Sequence, residues 1–63
     1  MTGLRKKCFD NRISFARLER ECGLSNGLLR RWDLDMSHAT VSRLKRVADY
    51  FGCTIDELIR EVD

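Results

Sequence analysis

The chain has 63 residues, a net charge of +2, three cysteines and no proline. A chain this short supports one small domain with a marginal core, which leaves little room for a catalytic pocket. It contains no run of 18 or more apolar residues, which excludes a membrane span, and no apolar stretch behind its basic first residues, which argues against a secretory signal. We therefore expect a single cytoplasmic domain over residues 1–63.

The charge is distributed unevenly along the chain. Residues 1–46 carry eleven basic and five acidic residues, whereas residues 47–63 carry one basic and five acidic residues. A basic body with an acidic end is typical of a domain that presents one face to a polyanion. Ordinary solubilisation of the surface would produce the same pattern, so the asymmetry alone leaves both interpretations open.

The reactive residue types do not form a recognisable site. The three cysteines, Cys8, Cys22 and Cys53, are widely spaced, and the single histidine, His38, lies far from all of them in the sequence. No Cys-x-x-Cys pair, Gly-rich phosphate loop or carboxylate cluster is present. We therefore expect reduced thiols that are buried as small apolar side chains, no metal, no cofactor and no enzymatic activity.

Apolar residues recur at helical spacing and predict five short helices without a sheet. The first predicted helix covers residues 3–10 and begins at Thr2, whose hydroxyl can cap it. Leu4 and Cys8 share one face, which we expect to pack in the core. Asn11 is the expected left-handed residue at the helix end.

The second and third predicted helices are joined by a tight turn. One covers residues 15–22 between the cap Ser14 and Gly23, whose freedom at positive φ suits a helix end. The other covers residues 26–33 after the cap Ser25. On the helical wheel its apolar residues lie opposite its polar ones, the former being Leu28, Leu29 and Trp32 and the latter Asn26, Gly27, Arg30 and Arg31. We expect Trp32 to belong to the core.

The fourth predicted helix follows a connecting loop at residues 34–39. It covers residues 41–51, begins after the cap Thr40 and stops at Gly52. The residues expected to form its buried stripe are Val41, Leu44, Val47, Ala48 and Phe51.

The fifth predicted helix covers residues 55–62. Thr54 and Glu57 have the spacing of a capping box, in which each side chain satisfies a free backbone N–H at the helix start. The apolar residues that follow recur at i, i+3, i+4 and i+7, and they are Ile55, Leu58, Ile59 and Val62.

Two short helices around a glycine turn, with arginines on the free face of the second, predict a DNA-reading helix-turn-helix. A duplex major groove admits one α-helix, in which Arg30 and Arg31 could each donate two hydrogen bonds to guanine and Asn26 could pair with adenine. Gly27 would let the helix backbone approach the DNA, and Leu28 could touch a thymine methyl group. Each residue alone could be an ordinary surface residue, so their combination carries the prediction.

The segment Ser14–Asp33, SFARLERECGLSNGLLRRWD, resembles the helix-turn-helix of the Cro and lambda-repressor-like (XRE) family. The segment Leu44–Leu58 resembles the fourth and fifth helices of that family. The resemblance implies a compact, all-α domain of five helices in which residues 26–33 form the recognition helix. It implies base contacts from Asn26, Gly27, Arg30 and Arg31, and phosphate contacts from Phe15, Ser25, Ser37, His38, Thr40 and Arg43.

Three features depart from the family pattern. Phe15 stands where many members have a glutamine that binds a phosphate, so that contact must be lost or be made by the backbone or by Arg17. Glu19 stands where the family usually has an alanine, so the close approach of the two helices needs another solution. The proline often found before the fourth helix is absent, and the loop there is longer.

We therefore expect a sequence-specific binder of double-stranded DNA that acts as a transcriptional repressor of phage or mobile-element type. Members of this family usually bind as homodimers, for which Tyr50, Ile59 and Val62 are candidate contacts. Neither a membrane nor a small-molecule ligand is expected. The alternative is a protein-interaction module on the same fold, such as an antitoxin-like or regulatory subunit, and binding to a partner protein that survives loss of Arg30 and Arg31 would favour it.

Overall fold

The structure, a computed structural model, describes residues 1–62. Its five α-helices are α1 (Gly3–Asp10), α2 (Phe15–Cys22), α3 (Leu28–Leu34), α4 (Val41–Phe51) and α5 (Ile55–Ile59), and a 3₁₀ turn (Met36–His38) lies between α3 and α4. The predicted all-α architecture of five helices is therefore confirmed. None of the described helices is long and apolar enough to cross a membrane.

Every helix contributes to one apolar core. Trp32 is the largest of the fully buried side chains, with none of its surface exposed, as its place on the helical wheel predicted. Its indole Nε1 nevertheless has no hydrogen-bond partner within residues 1–62. The buried apolar residues are Leu4, Cys8, Leu18, Leu29, Trp32, Leu44, Val47, Ala48 and Leu58.

Local sequence signals set most of the helix ends. Four side chains start helices by accepting a hydrogen bond from the backbone N–H three residues later, and they are Thr2, Ser14, Thr40 and Thr54. Gly23 and Gly52 end α2 and α4 with φ angles of 67° and 68°, in the left-handed region. The bounds of these two helices therefore agree with the prediction.

Two expectations for α1 and α4 are wrong. Asn11 has a φ of −96°, and both its side-chain amide and its backbone N–H donate to the Lys7 carbonyl, so the helix closes without a left-handed residue there. Arg12, the next residue, takes the positive φ of 53°. Val41 was expected in the buried stripe but is 71% exposed, because it is the first residue of α4 and the buried stripe begins one turn later, at Leu44.

The predicted extent of the last helix is also wrong, since α5 ends at Ile59 and not at residue 62. The Arg60 carbonyl accepts a hydrogen bond of 2.7 Å from the Gly3 N–H, and Thr2 and Glu61 form an antiparallel bridge. The chain is thus extended after α5 because its backbone groups pair with the N-terminal segment. Ile59, for which the sequence left both burial in the core and a contact between copies open, is 44% exposed.

Candidate nucleic-acid interface

The predicted recognition helix begins two residues later than expected. It was predicted at residues 26–33, but α3 spans Leu28–Leu34 and is preceded by Gly27 as the N-cap residue. Gly27 has a φ of 84°, a conformation that glycine adopts without strain. Ser25 does not cap the helix, because the α3 start is held by a side chain from another helix.

That side chain is Glu19 of α2, which is only 3% exposed. Its Oε1 accepts a hydrogen bond of 3.1 Å from the Gly27 N–H, and its Oε2 accepts one of 2.8 Å from the Leu29 N–H. A carboxylate at a helix N-terminus is favoured by the helix dipole and by charge-assisted hydrogen bonding. At the position where the family pattern has an alanine, the Glu19 carboxylate thus joins α2 to the start of α3 by two hydrogen bonds. Its place four residues after Phe15, beside the apolar stripe of α2, is the signal that points to burial.

A second residue joins α3 to the start of α1. The Asp33 carboxylate accepts a hydrogen bond of 2.7 Å from the Thr2 hydroxyl and lies 3.6 Å from Nη1 of Arg5. Because Glu19 binds the start of α3 and Asp33 lies near its end, the helix is held at both ends. Its free face is thus presented to solvent in a defined orientation.

Three of the four residues predicted to contact bases line a common depression. Asn26, Gly27 and Arg31 surround it together with Ser25 and Leu28. Arg30 is exposed but does not line this depression. The structure therefore brings Arg31 together with the turn before α3. Arg30 lies next to Arg31 in the helix, outside the depression.

A neighbouring depression joins α3 to the segment that leads into α4. Arg31 lines it together with His38 and Arg43, two of the residues predicted to contact phosphates, and with Leu34. Arg31 thus borders both depressions. Three of the predicted base-contacting residues and two of the predicted phosphate-contacting residues therefore border adjoining depressions. Together with the exposed Arg30 we call this surface the α3 face and define it by Asn26, Gly27, Arg30, Arg31, Leu34, His38 and Arg43.

The remaining predicted phosphate contacts in the loop have intramolecular partners. Asp35 accepts hydrogen bonds from the Ser37 hydroxyl at 2.6 Å and from the Ser37 N–H at 3.0 Å, and these bonds lower the pKa of the Asp35 carboxyl below its usual value. His38 Nε2 lies 3.4 Å from the same carboxylate. The Thr40 hydroxyl accepts a hydrogen bond of 3.4 Å from the Arg43 backbone N–H, and the Arg43 side chain is exposed.

The two predicted phosphate contacts of α2 differ in their availability. The Phe15 side chain is half-buried against the core, so only its backbone N–H at the helix start could meet a phosphate. Arg17 is exposed, and its Nε lies 3.9 Å from Oε1 of Glu21. Neither residue lines the depressions of the α3 face.

The arginines of the α3 face are not paired with acidic side chains. Within residues 1–62, no carboxylate lies within 4.0 Å of a charged nitrogen of Arg30, Arg31 or Arg43, whereas several cations elsewhere are paired. The paired lysines and arginines are Arg5, Lys6, Lys7, Arg17, Lys45 and Arg60, whereas Arg12, Arg20 and Arg46 are unpaired in the same part of the chain. Unpaired arginines provide the positive potential that attracts a polyanion.

Sequence reasoning missed two residues near this surface. Arg20 of α2 lines a depression with Asn26 and is likewise without an acidic partner in the described part of the chain, which makes it a further candidate for a phosphate contact. Leu34 was assigned to a loop, but it is the last residue of α3 and is 80% exposed. The helical period, continued by one residue, is the signal that would have placed Leu34 on the free face.

The cysteines lie outside the α3 face. All three are free, and Cys8 is buried in the core, whereas Cys22 and Cys53 are half-buried, which corrects the expectation that all three are buried. Burial raises the pKa of the Cys8 thiol to about 11 and raises the pKa of the other two thiols above the ordinary value. The described residues include no group of three histidine, cysteine or acidic side chains placed to hold a metal ion.

Comparison with protein-family models shows that residues 3–63 match the Cro/C1-type HTH DNA-binding domain. No curated protein and no solved structure gave a match. The family match covers nearly the whole chain, including the α2–α3 pair and the surface that carries the unpaired arginines. The chain belongs to the Cro/C1-type helix-turn-helix DNA-binding domain family.

Proposed function

We propose that the protein binds double-stranded DNA sequence-specifically, with α3 in the major groove, and that it acts as a transcriptional repressor of the phage or mobile-element type. The observation that carries this proposal is the α3 face. It combines arginines that have no acidic partner in the described chain with a helix held at both ends by Glu19 and Asp33. A rigid helix with free guanidinium groups suits base reading.

The chemistry of the α3 face divides into two tasks. The guanidinium groups of Arg30 and Arg31 can each donate two hydrogen bonds to O6 and N7 of guanine, and the Asn26 amide can pair with N6 and N7 of adenine. Arg43 and the backbone N–H groups at the start of α4 suit phosphate oxygens, which set the position of the helix but carry no sequence information.

We further propose that two copies bind DNA together. A single domain of this size reads a short half-site, and helix-turn-helix dimers span half-sites about one helical turn, roughly 34 Å, apart. Tyr50 and Ile59, which are 47% and 44% exposed, are the candidate contacts between copies. Val62 is a weaker candidate, because it is half-buried and its N–H donates to the Met1 carbonyl at 2.8 Å.

Selection of bound sites from random duplex DNA tests both proposals. We expect the protein to enrich a short motif in two inverted copies, with an affinity that falls steeply as salt rises. The Arg30→Ala and Arg31→Ala variants should each lose preference at one position and bind about 5- to 150-fold more weakly, since one bidentate contact is worth about 1–3 kcal/mol. Arg60→Ala is the matched control, because Arg60 is an exposed arginine that pairs with Asp56 outside the α3 face.

Each outcome bears on one proposal. If the folded protein enriches no motif and binds no duplex at low salt, sequence-specific DNA binding is contradicted. A motif that occurs in one copy only contradicts the dimer. Equal losses of affinity in Arg31→Ala and Arg60→Ala would show that the α3 face is not the reading surface.

A further inference from the structure

Leu34 occupies an unusual place for a large apolar side chain. It is 80% exposed at the end of α3, four residues after Arg30 and three after Arg31. Residues at these spacings lie on the same side of a helix. The core-facing residues of α3 are Leu29 and Trp32, so Leu34 points away from the core together with the two arginines.

The surroundings of Leu34 favour a polyanion as the occupant of this surface. Leu34 lines a depression whose other members include Arg31, His38 and Arg43. The Asp35 carboxylate also lines it and accepts hydrogen bonds from Ser37, so the depression holds two arginines against one carboxylate. An apolar protein surface laid on this depression would have to desolvate Arg31 and Arg43 without neutralising them, which is unfavourable. A DNA duplex neutralises the cations and also offers an apolar group to the leucine.

We propose that Leu34 is a specificity-determining residue that contacts the C5-methyl group of a thymine in the major groove. This inference rests on the proposed function. The methyl group of thymine is the apolar group among the base edges that the major groove displays. Leu28, which the sequence suggested for such a contact, is half-buried, so the exposed Leu34 is better placed for it. The thymine should lie next to the base pair read by Arg31, because both side chains border the same depression.

Replacing single thymines by deoxyuridine tests the contact, since this change removes the methyl group alone. In the duplex motif selected by the protein, we expect one thymine per half-site at which the replacement weakens binding about fourfold, the effect of one buried methyl group. Leu34→Ala should bind the unmodified motif more weakly by a similar factor and should be indifferent to that replacement. Phe9→Ala is the matched control, because Phe9 is 78% exposed on α1 and does not line the depression.

The outcomes separate the two proposals. If the protein binds its motif but Leu34→Ala responds to every deoxyuridine replacement as the unaltered protein does, the methyl contact is wrong and DNA binding stands. A selected motif without thymine beside the Arg31 position also overturns the contact. If Leu34→Ala changes the association of the protein without DNA but not its response to deoxyuridine, Leu34 contacts protein instead. Absence of any duplex binding contradicts the proposed function itself. Far-ultraviolet circular dichroism of each variant verifies that it is folded.

Discussion

Glu19 is the one charged side chain among the buried residues of the described chain, and both of its carboxylate oxygens accept backbone hydrogen bonds at the start of α3. The N–H of Leu29 is itself buried, so it would have no water to replace the carboxylate. Glu19 therefore influences the α3 face from within the domain, because it fixes the residue at which α3 begins. We therefore expect its contribution to DNA binding to be positional, since it is buried and does not itself project from that face.

We expect Glu19→Ala to lower the free energy of unfolding by about 1–3 kcal/mol, because it leaves the buried Leu29 N–H and the partly buried Gly27 N–H without their acceptor. Glu19→Gln should lose less, since the amide keeps one acceptor oxygen. Glu21→Ala is the matched control on α2, where the exposed pair with Arg17 at 3.9 Å should contribute about 0–1 kcal/mol. Urea unfolding of the three variants measures these differences. Equal stability of Glu19→Ala and Glu21→Ala would contradict the capping role.

Single residues also show which parts of the site the sequence could predict. The free face of α3 follows from helical periodicity, so the exposure of Arg30 and Arg31 and the burial of Trp32 were accessible in advance. The role of Glu19 could not be predicted, because its carboxylate binds backbone groups that lie eight and ten residues further along the chain, at the start of another helix. The exposure of Leu34 on the free face of α3 was not predicted, because Leu34 follows the predicted helix end at residue 33.

At the scale of helices, prediction succeeded where the signals were local. The cap Ser14 and the stop Gly23 lie within α2's own neighbourhood, and its bounds were predicted correctly. The start of α3 depends on Glu19, and the end of α5 depends on pairing with the N-terminal segment, so both were misplaced. Helix interiors follow from periodicity, whereas these two ends follow from tertiary contacts.

The contact between α1 and α5 requires a glycine. A Cβ atom at Gly3 would overlap the Glu57 carbonyl oxygen, a backbone atom that cannot move without displacing α5. Gly3 also donates its N–H to the Arg60 carbonyl at 2.7 Å. The glycine thus allows the two helices to approach closely enough for the ends of the chain to pair.

We therefore expect Gly3→Ala to lower the free energy of unfolding by about 1–3 kcal/mol or more, the usual cost of overpacking. This loss should occur although alanine has the higher helix propensity. Lys6→Ala, on the exposed side of α1, should change stability by no more than about 0.5 kcal/mol. Thermal unfolding of the two variants checks the difference. A Gly3→Ala variant as stable as the unaltered protein would show that α1 and α5 do not approach as closely as described.

At the scale of the whole molecule, the uneven charge of the sequence has a structural counterpart. Acidic residues near the C-terminal end pair with the N-terminal amine, with a lysine of α1 and with the arginine that follows α5. These pairs are Glu61 with Met1 at 2.9 Å, Glu57 with Lys7 at 3.7 Å and Asp56 with Arg60 at 2.7 Å. Within residues 1–62, the arginines of the α3 face have no such partners. The modest net charge of +2 thus conceals a surface beside α3 on which Arg30, Arg31 and Arg43 are unpaired.

If DNA binds the α3 face, titration with the selected duplex should change the backbone amide NMR shifts of that face more than those of other residues. We expect the largest shift changes at residues 25–31 and 34–43, and small changes in α1 and α5. In the Arg31→Ala variant, the same titration should give smaller changes at an equal duplex concentration. Largest changes in α1 and α5, or no changes with the duplex at low salt, would show that the α3 face does not bind DNA.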